Sequence, residues 1–121
     1  MTPAPYLSKL AREYFDHLVS ILEERGDAND GFSMELSQLA HEFSKYHEGV
    51  DDQNTYGKYQ EAKTGWKSEG PWMNVQVKAR SVIDKLSPKF GLTPSDYEKL
   101  KGKVAPTTEA KSPLEKMIAG D

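Results

Sequence analysis

The chain has 121 residues, 36% hydrophobic and 29% charged, with no cysteine. That length suits one domain with a modest core, and the missing cysteines exclude disulfides, thiolate chemistry and cysteine-ligated zinc. The formal charge of −3 conceals a split: residues 1–54 carry four basic and eleven acidic side chains, residues 55–104 ten and five, and the last seventeen two and three. One part of the surface should therefore repel phosphate and another attract it. No apolar run approaches the roughly 20 residues of a membrane span, and MTPAPYLSK lacks the apolar segment of a signal peptide, so the expected location is the cytoplasm.

Thr2-Pro3-Ala4-Pro5 reads as an extended leader. Leu7, Leu10, Ala11, Tyr14, Phe15, Leu18, Ile21 and Leu22 follow the i, i+3, i+4, i+7 template, which predicts a helix over residues 6–25 ended by Gly26. His17 falls at the edge of its apolar face. Asp27-Ala28-Asn29-Asp30-Gly31 is a run of turn formers. Leu36, Leu39, Ala40, Phe43, Tyr46 and His47 then form the stripe of a second helix, about 33–48, antiparallel to the first. The pairs His41-Glu42 and His47-Glu48 do not make a zinc motif: their histidines are six apart, about 120° off in azimuth, where the motif needs four. No metal is expected.

Residues 49–71, GVDDQNTYGKYQEAKTGWKSEGP, lack helical periodicity and contain four glycines. An excursion of this length is usually functional or disordered. Tyr56, Tyr59 and Trp66 interleave with Lys58, Lys63 and Lys67, a composition suited to stacking on DNA bases or packing on a neighbouring subunit. The alternative is that Trp66 and Trp72 cap the helical core. The glycines leave room for a short β-hairpin between Gly57 and Gly65.

Val75, Ala79, Val82, Ile83 and Leu86 mark the third helix, about 73–87, which Pro88 must end or kink because it lacks an N–H for the carbonyl of Asp84. Gly91 suits a left-handed cap, with Leu92 folding back towards Leu86. Thr93-Pro94-Ser95-Asp96 reads as an approximate capping box opening a helix over 94–101, with Gly102 as its stop. Residues 103–113 read as a flexible linker. Beyond it Leu114, Met117 and Ile118 fall at i, i+3 and i+4, with Ser112 and Pro113 as their opening. Such a face is too short to be helical alone, and it suits a partner's groove or a weak contact with its own domain.

An apolar helix running into FGLTPSDYEKL resembles the C-terminal part of the small terminase subunits of tailed bacteriophages. The GLTPS step followed by a Lys-Leu pair is the most specific piece, and the order of elements is similar over roughly residues 7–100. The resemblance implies a non-enzymatic, cofactor-free DNA-packaging component that recognises double-stranded viral DNA and regulates the large ATP-consuming nuclease subunit. Leu114, Met117 and Ile118 would be the contact with that subunit.

Taken on its own chemistry, the chain is an all-α domain over residues 1–102 with a tail over 103–121, and it reads as a binder. It offers no Gly-rich phosphate loop, no nucleophile motif and no carboxylate cluster at nuclease-like spacing. Lys78, Arg80, Lys85, Lys89, Lys99, Lys101 and Lys103 are the expected phosphate contacts. Residues 75–101 also allow a helix-turn-helix, although Asp96 and Glu98 in the first turn of its second helix oppose base reading. The broad apolar faces of the first two helices predict a closed homo-oligomer. The alternative function is a helical adaptor that binds protein alone and whose lysines are only solvated.

Overall fold

The computed structural model describes residues 1–101 and 113–119. The elements in chain order are α1 (Lys9–Arg25), a 3₁₀ turn (Asp30–Phe32), α2 (Ser33–Tyr56), β1 (Tyr59–Glu61), β2 (Lys67–Glu69), α3 (Pro71–Leu86), a second 3₁₀ turn (Ser87–Phe90), α4 (Pro94–Lys101) and α5 (Pro113–Ala119). The fold is all-α with a small two-stranded antiparallel sheet. The expected linker, its Ser112 cap and the Gly102 stop lie outside the described residues.

α1 starts at Lys9, three residues later than its periodicity suggests. The Ser8 hydroxyl accepts from the Ala11 N–H at 3.2 Å, an N-cap, and this leaves Leu7 outside the helix, free to pack inward. The leader is drawn into the core with it: Ala4 is buried and its N–H donates to the buried Ser37 hydroxyl at 3.0 Å. At the other end Gly26, at φ 74°, donates to the carbonyl of Glu23 while Asp27 donates to that of Leu22 at 2.8 Å. This is the Schellman arrangement, in which a left-handed glycine satisfies the carbonyls that a helix end leaves open.

α2 is the central element and packs against both α1 and α3. Its first half supplies Leu36, Leu39, Ala40 and Phe43 to a core completed by Ala11, Phe15, Leu18 and Leu22 of α1, Ile83 and Leu86 of α3, and Phe90, Leu92 and Met117. Each such Leu, Ile or Phe contributes about 1.5–3 kcal/mol relative to exposure. Tyr14 stacks on Phe43 with centroids 5.4 Å apart, and Phe32 meets Phe90 edge-on at the same distance.

Beyond Ser44 the character of α2 changes. It continues eight residues past its expected end, to Tyr56, and within that stretch Gly49 alone is buried. α3 mirrors this, with no buried residue before Ala79. Residues 45–56 and 71–78 therefore form a two-helix arm outside the core, joined at its far end by the β-hairpin. Val75, expected in the buried stripe, sits on this arm and is exposed, because the core begins one turn later. A polar seam closes the arm. Gln76 Nε2 donates to the Gly49 carbonyl at 3.0 Å and to Gln53 Oε1 at 2.9 Å, and the Trp72 indole donates to the Gly57 carbonyl at 2.8 Å. Tyr56 lies against Trp72 with centroids 5.4 Å apart.

The 3₁₀ turn that follows α3 places Pro88 where its missing N–H is harmless, and Gly91 closes the turn at φ 60°. Thr93 Oγ1 accepts from the Asp96 N–H at 3.2 Å and donates to Asp96 Oδ2 at 2.8 Å, so the expected cap forms. α5 lies against α2, with the Leu114 N–H donating to the Leu92 carbonyl at 3.0 Å and Met117 2% exposed.

Candidate nucleic-acid interface

The hairpin at the tip of the arm is built by its glycines. Gly65, at φ 84°, takes a left-handed conformation within the three-residue loop Lys63-Thr64-Gly65, donating to the Ala62 carbonyl at 2.9 Å, while Ala62 donates to that of Trp66 at 2.8 Å. Gly65 is thus the turn of the hairpin and not its end, so the ribbon runs further along the chain than expected. The register is Tyr59↔Glu69, Gln60↔Ser68 and Glu61↔Lys67. All six strand residues are exposed, as are Lys58, Lys63 and Trp66, the last to 73%. The ammonium of Lys58 lies 5.6 Å from the centre of the Tyr59 ring. The use of both tryptophans as caps on the core is ruled out by these positions. Trp72 belongs to the arm's seam and Trp66 faces water.

Along the outward side of α3, Lys78 and Lys85 are seven residues apart and share one azimuth to within about 20°. Both are exposed and have no ion pair among the described residues. Arg80 is paired with Asp84 at 2.9 Å and Lys89 with Glu35 at 3.5 Å, so these two cations are partly offset. Lys89 also lines an open cleft of about 380 Å³ whose apolar wall is Leu22, Phe32, Phe90 and Leu100. Lys99 is exposed on α4, at the opposite end of α3 from the hairpin, and Lys101 ends that helix. Lys103 lies outside the described residues. The structure thus separates Lys78, Arg80 and Lys85 on α3 from Lys89, Lys99 and Lys101 around α4, while Lys58, Lys63 and Lys67, the candidate DNA or subunit contacts, lie on the hairpin and beside it.

The helix-turn-helix reading weakens at the same place. Asp96 is held in the Thr93 cap at the first turn of α4, so a carboxylate occupies the end that would enter a groove. Arg25, which no sequence pattern singled out, fixes this corner. Its Nη1 donates to the carbonyls of Phe90 at 3.2 Å and Gly91 at 2.7 Å, and its guanidinium carbon lies 4.2 Å from the centre of the Tyr97 ring. The available signal was a basic residue in the last turn of a helix.

His17, expected at the edge of the apolar face, is exposed. His47 bridges α1 and α2: its Nε2 lies 3.3 Å from Asp51 Oδ2 and its Nδ1 3.3 Å from the Tyr14 hydroxyl. In the neutral imidazole the carboxylate, which can only accept, places the proton on Nε2 and leaves Nδ1 to accept from the Tyr14 hydroxyl. Burial pushes the Tyr14 hydroxyl above its ordinary pKa, and the negative charges of Asp51 and Glu13 add to the effect. Among the described residues no three His, Asp or Glu side chains are grouped to hold a metal, and no helix is long and apolar enough to cross a membrane. Leu114, Met117 and Ile118, expected to meet a partner, face the chain's own core.

These features define a small helical protein whose projecting arm carries Lys58, Lys63, Lys67 and Lys78 beside the exposed aromatics Tyr56, Tyr59 and Trp66. The family model described as phage terminase, small subunit, matches residues 11–107, and the chain belongs to that family. The family's role is phage DNA packaging, and its members are in general non-catalytic components of that process. No curated protein and no solved structure matches the chain.

Proposed function

We propose that this chain binds double-stranded phage DNA, assembles with copies of itself, and recruits or regulates the large ATPase/nuclease subunit. The observation that carries the DNA reading is the pair Lys78 and Lys85, exposed on one side of α3 without an ion pair among the described residues, on the helix that follows a hairpin with Lys58, Lys63 and Lys67. α3 is about 24 Å long at 1.5 Å per residue, enough to follow several phosphates. Contacts of this kind position DNA and fall steeply in strength with salt.

Support for self-assembly comes from exposed aliphatic side chains outside the core, namely Met34, Val75, Val77 and Leu100. They are fewer than the sequence suggests, because the faces of α1 and α2 largely cover one another. Recruitment of the large subunit through Leu114, Met117 and Ile118 would require α5 to leave Leu92 and α2, so the contact would be an exchange of one partner for another. The deciding experiment is retention of a 30-bp duplex across a salt series. Lys78→Glu with Lys85→Glu should reduce retention at least tenfold while leaving the oligomer intact. Retention unchanged by salt and by both substitutions would favour the adaptor that binds protein alone.

A further inference from the structure

The pleat of the hairpin sorts its side chains into two unlike faces. In an antiparallel ribbon successive residues point to opposite sides, and cross-strand partners share a side. The register therefore puts Tyr59, Glu61, Lys67 and Glu69 on one face, and Gln60, Ala62, Trp66 and Ser68 on the other. Both carboxylates of the ribbon lie on the first face. The second has none, and it combines an amide, a hydroxyl and an indole that is 73% exposed, next to the turn lysine Lys63.

We propose that this carboxylate-free face enters the major groove of duplex DNA and selects A·T base pairs, with Gln60, Trp66 and Ser68 towards the base edges. The proposal rests on the DNA-binding reading above and adds to it which residues read sequence. Two strands lie about 4.8 Å apart, and with side chains the ribbon fills a groove about 12 Å wide but not one about 6 Å wide. An amide can bond both N7 and N6 of adenine, a hydroxyl serves either base, and an apolar surface fits the methyl group of thymine, which the major groove alone displays. Charge complementarity separates the faces. The face with Glu61 and Glu69 would set carboxylates against phosphate, whereas the opposite face brings Lys63 to the strand flanking the bases. The ribbon is aimed by the Trp72 indole, which holds the Gly57 carbonyl at 2.8 Å, and by the Gly70 N–H, which holds that of Lys58 at 3.0 Å.

The test uses the full chain and fluorescein-labelled 30-bp duplexes, A·T-rich and G·C-rich, the former also with deoxyuridine in place of thymidine. The wild type should prefer the A·T-rich duplex by about tenfold. It should lose several-fold when the thymine methyls are removed. Gln60→Ala should abolish most of the A·T preference, Trp66→Ala should bind the thymidine and deoxyuridine duplexes equally, and Tyr59→Ala, on the opposite face, should keep both the A·T preference and the response to methyl removal. DNA should also shield Trp66 from acrylamide quenching, read as the difference between wild type and Trp66→Phe, whose single indole Trp72 gives the background. The proposal is overturned if Tyr59→Ala abolishes the methyl response as Trp66→Ala does, if neither base composition nor methyl removal matters, or if Trp66→Ala acts only by lowering the oligomer mass, which would make the hairpin a subunit contact. Wild type that retains no duplex at low salt would overturn the DNA-binding reading itself. Wild type that binds with full salt dependence but no A·T preference would overturn only the role of the ribbon.

Discussion

Ser87 shows at the smallest scale how this fold tolerates local cost. Its hydroxyl is buried with no hydrogen-bond partner among the described residues, where α3 gives way to the 3₁₀ turn. Leaving such a group unsatisfied costs about 1–3 kcal/mol, so Ser87→Ala should be neutral or raise stability by about 1 kcal/mol in urea unfolding. Tyr14 carries a pH dependence with a definite sign. Its folded pKa is raised above 10.0 by burial, with Asp51 and Glu13 adding to it. The folded state therefore holds the proton more tightly, and this contribution is complete below pH 10 and lost as pH rises through the folded value. Tyr14→Phe should remove that alkaline loss, as read from unfolding midpoints between pH 9 and 11, at the expense of the contact with His47. Residue-scale features such as the Thr93 cap were legible because both partners lie within four residues. Arg25 was not, since its acceptors Phe90 and Gly91 lie 65 and 66 positions away and nothing local marks them.

Among the elements, α2 and α3 depart furthest from their sequence patterns, for a physical reason. Hydrophobic periodicity registers a helix that packs against a core, and residues 49–56 pack instead on the polar side of one other helix through Gln76, Gly49 and Gln53. Gly49 is the tight point. A Cβ there would stand 2.7 Å from Gln76 Cγ and 3.1 Å from the Trp72 carbonyl oxygen. Gly49→Ala should gain about 1 kcal/mol of helix propensity and lose more by forcing the helices apart. Hydrogen exchange should then quicken across 45–56 and 71–78 while the amides around Phe15 and Leu39 are unchanged. The C-terminal helix is the other departure. An apolar triplet was visible in the sequence, but its acceptor is assembled from α2 and Leu92, which no local pattern reveals. Met117→Ala should cost about 2–5 kcal/mol, the usual range for emptying a buried Met site, whereas a helix free in solution would show almost nothing.

For the whole molecule, lysines of the basic half fall on the exposed surface of α3 and the hairpin, while Glu48, Asp51 and Asp52 of the acidic half lie on α2 of the same arm. If DNA lies along that surface, the slope of log affinity against log salt should fall by about one for each lysine removed. Lys78→Ala and Lys85→Ala should each do so, whereas Arg80→Ala should do less because Asp84 already offsets that charge. A fluorescence titration at four salt concentrations decides this.

The arm has one thermal consequence. The heat capacity gained on unfolding comes from apolar surface newly wetted, at about 12–15 cal/mol/K per residue, or roughly 1.5–1.8 kcal/mol/K for a chain of this length. Residues 45–78 bury almost no apolar side chain, and polar groups released to water lower the heat capacity. Scanning calorimetry on the folded chain should therefore give a value clearly below that range. The stability curve would be correspondingly flat, so the arm's seam would weaken little on cooling, at temperatures where the apolar core loses part of its own driving force.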